Sequence, residues 1–216
     1  MSQPVESAAS TRKGYTSRRF FARYYERTSR SPQEERFMGP LRREVIEQAS
    51  GRVLEIGAGN GLNFALYDPA RVEHVTATEP DSAMLEYARQ RTAGARVPVE
   101  LVRTPVENLP FADESFDSVV VTLVFCSVND PQRGLSEVRR VLKPGGTLLM
   151  VEHVRAENRL VAAVQHVATP LARLFTGNCH WNRETGRFVR EAGFTIEQRR
   201  TVVLSVIPFM VVRALK

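Results

Sequence analysis

The sequence predicts an α/β fold built on a parallel, doubly wound sheet. Three observations predict it. Strand-like apolar runs alternate with helix-period segments from Arg52 onward, a glycine turn follows the first run, and Val119–Thr122 is unbroken β-branched sequence. Alternation of this kind marks βαβ units, whose strands are covered on both faces and so lose the polar half of a strand pattern.

The elements follow in chain order. Residues 1–14 are small and polar and are expected to be disordered. Between Tyr15 and Tyr25, the rings of Phe20, Phe21, Tyr24 and Tyr25 recur at i, i+1, i+4, i+5, one face of a helix, while Arg18, Arg19, Arg23 and Arg27 mostly lie elsewhere. After Ser31–Pro32 a second helix runs to about Gln48 and ends at Gly51. Residues 15–50 are thus expected to form a helical lid ahead of a domain spanning 51–216. Val53–Ile56 is a strand, Leu62–Tyr67 a helical segment and His74–Thr78 a strand. Asp81 caps a helix to Arg91, Val97–Val102 is strand-like, and Phe116–Thr122 is the doubly buried strand. Pro131–Leu142 is helical, Lys143–Gly146 a turn, and Thr147–Val151 the next strand. Leu160–Leu174 and Arg183–Ala192 are helices, and Phe194–Leu204 and Phe209–Leu215 close the chain as strands. Only the link Ser205–Pro208 joins these last two, so they pair antiparallel, which an ordinary dinucleotide-binding domain lacks.

Composition excludes several classes. The 216 residues, 43% hydrophobic, can bury a core without metal or disulfide staples. Cys126 and Cys179 allow one bridge at most and form no CxxC pair, against a zinc finger or a disulfide framework. The apolar runs near 119–128 and 202–212 are shorter than the roughly 18–20 residues of a membrane span, and residues 1–10 have no apolar signal core. A cytoplasmic protein without integral membrane association is expected. Of the net charge of +6, the first 36 residues hold +4, with eight basic and four acidic groups. The basic excess therefore belongs to an arm rather than to a nucleic-acid-binding scaffold, and no nucleic-acid partner is expected.

The informative motif is Val53-Leu-Glu-Ile-Gly57-Ala-Gly59-Asn-Gly61. Glycines after a first strand let the chain turn sharply and let a ligand approach the backbone. The spacing is GxGxG rather than the GxGxxG of nicotinamide enzymes, and Glu55 stands where those sites carry an apolar residue. An acid there suits a ligand with a cationic amino group. Glu79, eighteen residues beyond Gly61, ends the second strand, where a carboxylate can accept both hydroxyls of a ribose.

With these motifs the chain resembles class I S-adenosylmethionine-dependent methyltransferases, from Ala22 to the end. Glu79-Pro-Asp-Ser-Ala-Met84-Leu resembles their segment after the second strand, with Asp81 where Ser is usual. Val106-Glu-Asn-Leu-Pro-Phe111, Asp113–Asp117 and Glu137–Gly146 are similar to their adenine-side loop, fourth strand and the turn before the fifth. The resemblance implies a Rossmann-like seven-stranded, mostly parallel sheet of order 3-2-1-4-5-7-6, its last strand antiparallel. It also implies S-adenosylmethionine as cofactor and S-adenosylhomocysteine as product. Gly57, Gly59 and Gly61 would face the methionine part, Glu79 the ribose, and Val106 and Glu107 the adenine, with Pro80 and Met84 on its rings. Tyr25, Glu55, Asn63, Thr122 and Val124 complete the implied cofactor set.

Residues 59–64, 123–128, Glu152-His153-Val154 and Asn178-Cys179-His180 look closest to the branch holding quinone methyltransferases and small-thiol methyltransferases. Pro105 stands where that branch often has Asp. The resemblance implies a small-molecule acceptor, a thiol, phenol or quinol, in a monomer or homodimer. The alternatives are a macromolecule methyltransferase and a non-catalytic binder of the same cofactor. Thr122-Leu-Val-Phe125 is not the (N/D)PP(Y/F) motif of base amine methylation, and Cys126 lacks the Pro of cytosine C5 enzymes. No metal is expected.

For acid–base work, His153 ends the fifth strand, where ligands bind in open α/β sheets, and His180 lies in a loop able to fold over the same crevice. His74 is expected at the surface and His166 mid-helix. The aromatic stripe of the first helix is expected to close over the pocket, with Tyr25 nearest the cofactor.

Overall fold

Seven strands form one sheet of order β3-β2-β1-β4-β5-β7-β6. They are β1 (Gly51–Ile56), β2 (Val72–Thr78), β3 (Val99–Val102), β4 (Phe116–Thr122), β5 (Leu142–His153), β6 (Thr195–Leu204) and β7 (Ile207–Leu215). The first five are parallel, and β7 runs antiparallel to both β5 and β6. This is the expected order and the expected single reversal. The computed structural model describes residues 19–175, 178–204 and 207–216. The expected disorder over 1–14 and the helix start at Tyr15 lie outside the described residues.

Side chains of a strand alternate between faces, and the sheet accordingly divides the core in two. On one side Leu54, Val119, Val121, Leu148 and Met150 pack with Leu135, Val138 and Val141 of α4 (Pro131–Val141). On the other, Val53, Val120, Leu149 and Val151 pack with Met38, Leu41, Val45 and Ile46 of α2 (Pro32–Ile46). So α2 belongs to the core layer, whereas α1 (Arg19–Thr28) contributes to neither cluster.

Local chemistry fixes where the helices begin. Ser31 accepts from the Glu34 amide and Pro32 opens α2. Asp81 caps α3 (Ser82–Thr92) by accepting from Ala83 and Met84, and Asp130 caps α4 through the Arg133 amide. The remaining helices are α5 (Arg159–Phe175) and α6 (Thr185–Glu191). Among the described residues, no helix is long and apolar enough to cross a membrane.

Three expected elements differ. The segment Leu62–Tyr67 contains only a 3-10 turn at Phe64–Leu66, because Phe64 and Tyr67 are both drawn into the core. Lys143–Gly146 is not a separate turn but bulges inside β5, between the pairs Phe116↔Leu142 and Ser118↔Thr147. Lys143 Nζ fixes that bulge on Asp117 Oδ1 at 2.6 Å. The helix expected from Arg183 starts at Thr185, which frees Arg183 to bind the backbone of another loop.

Candidate active site

A cavity of about 750 Å³ opens where β1, β2, β4 and β5 end, and α1 covers it. Its floor is the loop after β1. Gly57 and Gly59 have φ of +62° and +57°, a region open to glycine. A Cβ on Gly57 would meet Val124 Cγ2 at 2.6 Å, whereas one on Gly59 would meet nothing nearer than 4.0 Å. The Gly57 backbone is thus pressed on by the loop after β4, and Gly59 faces free space beneath Tyr25. Gly61 is not in the lining; a Cβ there would stand 2.6 Å from Phe64 and 3.1 Å from Ala88 Cα, so it is a packing contact.

Glu79 sits at the end of β2 on the cavity wall. Its Oε2 accepts from the Gly59 amide at 3.0 Å and its Oε1 from the Asp81 amide at 2.9 Å. Burial pushes its carboxyl up to about 7, against those two amides. Two backbone bonds leave the carboxylate further lone pairs on the cavity side. Pro80, Met84, Pro105, Val106, Thr122 and Val124 also line the cavity.

Glu55 does not reach it. The carboxylate is 1% exposed and both oxygens are occupied, Oε1 by Asn63 Nδ2 at 2.9 Å and Oε2 by the Tyr67 hydroxyl at 2.8 Å. The expectation that Glu55 meets a ligand's amino group is therefore corrected: it lies under the glycine loop. Asn63 is buried with it, giving Nδ2 also to Thr122 Oγ1 and accepting from Arg42 Nη1. This network ties the ends of β1 and β4 to α2, and Thr122 alone among Glu55, Asn63, Tyr67, Arg42 and itself faces the cavity. Glu107 is likewise outside the lining, where Oε1 accepts from the Asn129 and Asp130 amides and draws that loop toward Val106.

Burial raises the Glu55 carboxyl to about 7 in the folded chain, above its ordinary 4.5. Such a group contributes stability that is present below pH 4.5 and lost as pH rises through 7. The loss approaches about 3 kcal/mol for a shift of this size. In Glu55→Gln, the decline in urea-unfolding stability between about pH 5 and 8 should shrink, with Glu79, Glu152 and Glu34, whose carboxyls burial also raises, supplying the remainder. An unchanged decline would mean that Glu55 is ionised throughout.

The α1 cover is narrower than the aromatic stripe suggested. Phe21, Tyr24 and Tyr25 line the cavity, with the Phe21 and Tyr25 rings 5.9 Å apart, but Phe20 is 87% exposed. Four rings at i, i+1, i+4, i+5 span too wide an arc for all to face one pocket. A latch holds the helix down: Glu26 Oε1 meets Arg91 Nη2 at 2.6 Å and Oε2 accepts from Asn60 Nδ2 at 2.7 Å.

The opposite end is built from the loops after β4 and before α6. Leu123 has φ of +59° and turns the chain so that the buried Glu152 can accept from the amides of Val124, Phe125 and Cys126. A charged residue inside the apolar run 147–154 was the sequence signal for that clamp, and it was missed. Arg183 donates to the carbonyls of Phe125 and Val128, binding the two loops together. His153 lines the cavity with Nδ1 3.2 Å from Cys179 Sγ and its ring edge-on to Phe209. Burial pulls the His153 ring down, but Cys126, Glu152 and Glu34 outweigh it and the shift is upward. His180 is not in the lining. Its amide and Nδ1 both approach Cys126 O, and burial with Arg183 beside it lowers its pKa. His74 is at the surface, 3.7 Å from Glu100, and His166 contacts Asn182 on the exposed side of α5.

The pattern of the methyltransferase domain matches residues 54–150. The chain is 37% identical over 177 residues to human thiol S-methyltransferase TMT1B, covering 76% of this chain and 72% of that one. It belongs to the class I S-adenosylmethionine-dependent methyltransferases. The methyltransferase is also 32% identical over 183 residues to demethylmenaquinone methyltransferase of Clavibacter sepedonicus, covering 76% and 74% of the two chains. Among solved structures, a possible histamine N-methyltransferase of Thermotoga maritima aligns with a TM-score of 0.69 at 27% identity, over 92% of this chain and 97% of that one. A geranyl diphosphate methyltransferase in complex with sinefungin shares the fold at a TM-score of 0.68 and 12% identity, over 85% of this chain and 79% of that one.

S-adenosylmethionine is the methyltransferase's cofactor, and the residues present fit it. The cavity has the volume for a nucleoside with an amino-acid arm, Glu79 keeps acceptor capacity on that side, and Gly59 presents bare backbone. Bound there, the cofactor supplies an electrophilic methyl group on a sulfonium.

Proposed function

We propose that the methyltransferase acts on the sulfur of a small thiol. The observation that carries this reading is the cavity wall beyond Val124. Cys126, His153, Cys179, Trp181 and Ile207 make a soft surface there, edged by Ser127, Asn129 and Asn178, with Glu34 as its carboxylate among the described residues. A thiolate meeting a sulfonium loses charge on the way to the transition state, and a dry apolar wall favours that neutralisation. Similarity to a thiol S-methyltransferase supports the same choice.

In this reading Glu79 accepts the ribose hydroxyls, the Gly57–Gly59 backbone meets the methionine part, and Val106, Pro80 and Met84 pack on the adenine. Thr122 and Val124 form the floor and Tyr25 the cover. Gly61, Glu55, Asn63 and Glu107 act through these groups by holding the loops that carry them. His180 is a positioning residue for the Cys126 loop, and His153 favours the ionised form of the acceptor. A reducing, cytoplasmic setting suits the two free thiols.

The test is a radiolabelled methyl-transfer screen of small thiols against phenols, quinols and amines. Incorporation into thiols supports the reading, and incorporation confined to quinols supports a ring acceptor, which Trp181 and the demethylmenaquinone relative favour. A thiol of pKa near 8.5 is only a few per cent ionised at pH 7. His153→Ala should therefore lower turnover at pH 7 about tenfold or more, with partial recovery toward pH 9 as the acceptor ionises unaided. Cofactor affinity in the same variant should stay within about twofold. Full activity at pH 7 would remove His153 from the reaction.

A further inference from the structure

We infer that Cys126, Cys179 and His153 form a zinc-binding site with its fourth position open to the acceptor end of the cavity. Metal binding stands on its own; the ligand assigned to the open position rests on the thiol reading above.

The three candidate ligand atoms all lie within 4.8 Å of one another, and Cys179 Sγ is 3.2 Å from His153 Nδ1. Tetrahedral zinc, with bonds of about 2.3 Å to sulfur and 2.0–2.1 Å to nitrogen, needs donor atoms roughly 3.5–4 Å apart. Small side-chain movements suffice. These are both of the chain's cysteines, and they come from the loop after β4 and the loop before α6, while the histidine ends β5. The spacing Cys126…His153…Cys179 matches no sequence motif, so only the fold assembles it.

The set is held in place without a metal. Glu152 fixes the Cys126 amide, His180 N donates to Cys126 O at 2.8 Å, and Asn178 Nδ2 donates to Ser127 O at 3.0 Å. Phe209 packs edge-on against the His153 ring and fixes its orientation. Two thiolates and a neutral imidazole cancel the charge of a zinc ion, which a buried site requires, and sulfur donors disfavour magnesium and calcium.

All three residues line the cavity, and the fourth coordination position is assigned to that side. A small thiol entering there would lose its proton to solvent as the S–H bond breaks, and the sulfur electron pair would bind the metal. The acceptor would then be held as a thiolate at neutral pH. His153 serves as ligand in this arrangement, and this is how it favours acceptor ionisation.

The test uses the full chain, stripped of metal under reducing conditions and titrated with zinc and with cobalt(II). One equivalent of either should bind, cobalt giving an intense near-ultraviolet thiolate charge-transfer band and the visible bands of tetrahedral geometry. Cys126→Ser and Cys179→Ser should lose that band, and His153→Ala should weaken and shift it. S-adenosylhomocysteine binding by each variant identifies those that remain folded. Failure of the wild type to bind either metal overturns the site, as does equal cobalt binding by any folded cysteine variant. Adding a small thiol should add charge-transfer intensity. Metal binding without thiol methylation keeps the site and removes the acceptor reading; undiminished thiol methylation by the metal-free chain keeps the thiol reading and overturns the assignment of the acceptor to the open position.

Discussion

Replacing Glu79 with alanine is expected to weaken S-adenosylmethionine binding by about 1.5–3 kcal/mol, the usual worth of hydrogen bonds to a charged group. That is roughly ten- to more than a hundredfold in affinity, read by calorimetric titration. The carboxylate has two duties in the structure. It holds the Gly59 and Asp81 amides and keeps acceptor capacity toward the cavity. Glu79→Gln keeps one acceptor oxygen for the loop, so it should lose less than alanine. Because burial raises Glu79 to about 7, it ionises across neutrality, and affinity for the cationic cofactor should rise from about pH 6 to 8. In Glu79→Gln that rise should disappear. Gly59→Val tests the same site sterically: its φ of +57° strains any branched residue, and the added methyls would enter the space under Tyr25. Binding should be abolished while the fold survives. Unchanged affinity in both Glu79→Ala and Gly59→Val would remove the cofactor assignment.

The sheet was legible because its buried strands carry uninterrupted apolar sequence and its glycine turn is local. Val53–Ile56 and Phe116–Thr122 are strands as expected, in the sheet order the family resemblance implied, and the cap at Asp81 is a short-range signal. Site roles depend on where a side chain points, which short-range patterns do not carry. Glu55 stands beside the glycines in sequence, yet its strand register turns it beneath them toward Tyr67, twelve residues on. His153 and His180 looked equivalent, but only His153 faces the cavity, since the backbone of Cys126 holds the His180 ring. Arg42, Glu152 and Arg183 were missed because the partners that matter lie 21 to 80 residues away and no local pattern joins them.

Deleting residues 1–31 should leave a folded domain that binds S-adenosylhomocysteine but turns over at least about a hundredfold more slowly. Folding should survive because neither core cluster contains a residue before Met38, and Ala22 is the only buried apolar residue of α1. Turnover should not, because Phe21, Tyr24 and Tyr25 form the cavity's cover, and without them water reaches the sulfonium side. The latch offers a gentler version. Glu26→Ala removes the bonds to Arg91 and Asn60 but leaves every ring in place. Its two partners sit on α3 and on the glycine loop, so the latch couples the cover to the part of the site that holds the cofactor. Glu26→Ala should therefore raise KM for the cofactor by several-fold with a smaller effect on kcat, and the deletion should lower kcat most. The Glu26 carboxyl is held below its ordinary value, its desolvation outweighed by Arg91, Asn60 and Arg30. The latch is therefore intact at neutral pH and weakens only as pH falls into the carboxylate range. Wild-type turnover from the deleted chain would show that α1 packs on the domain without closing it.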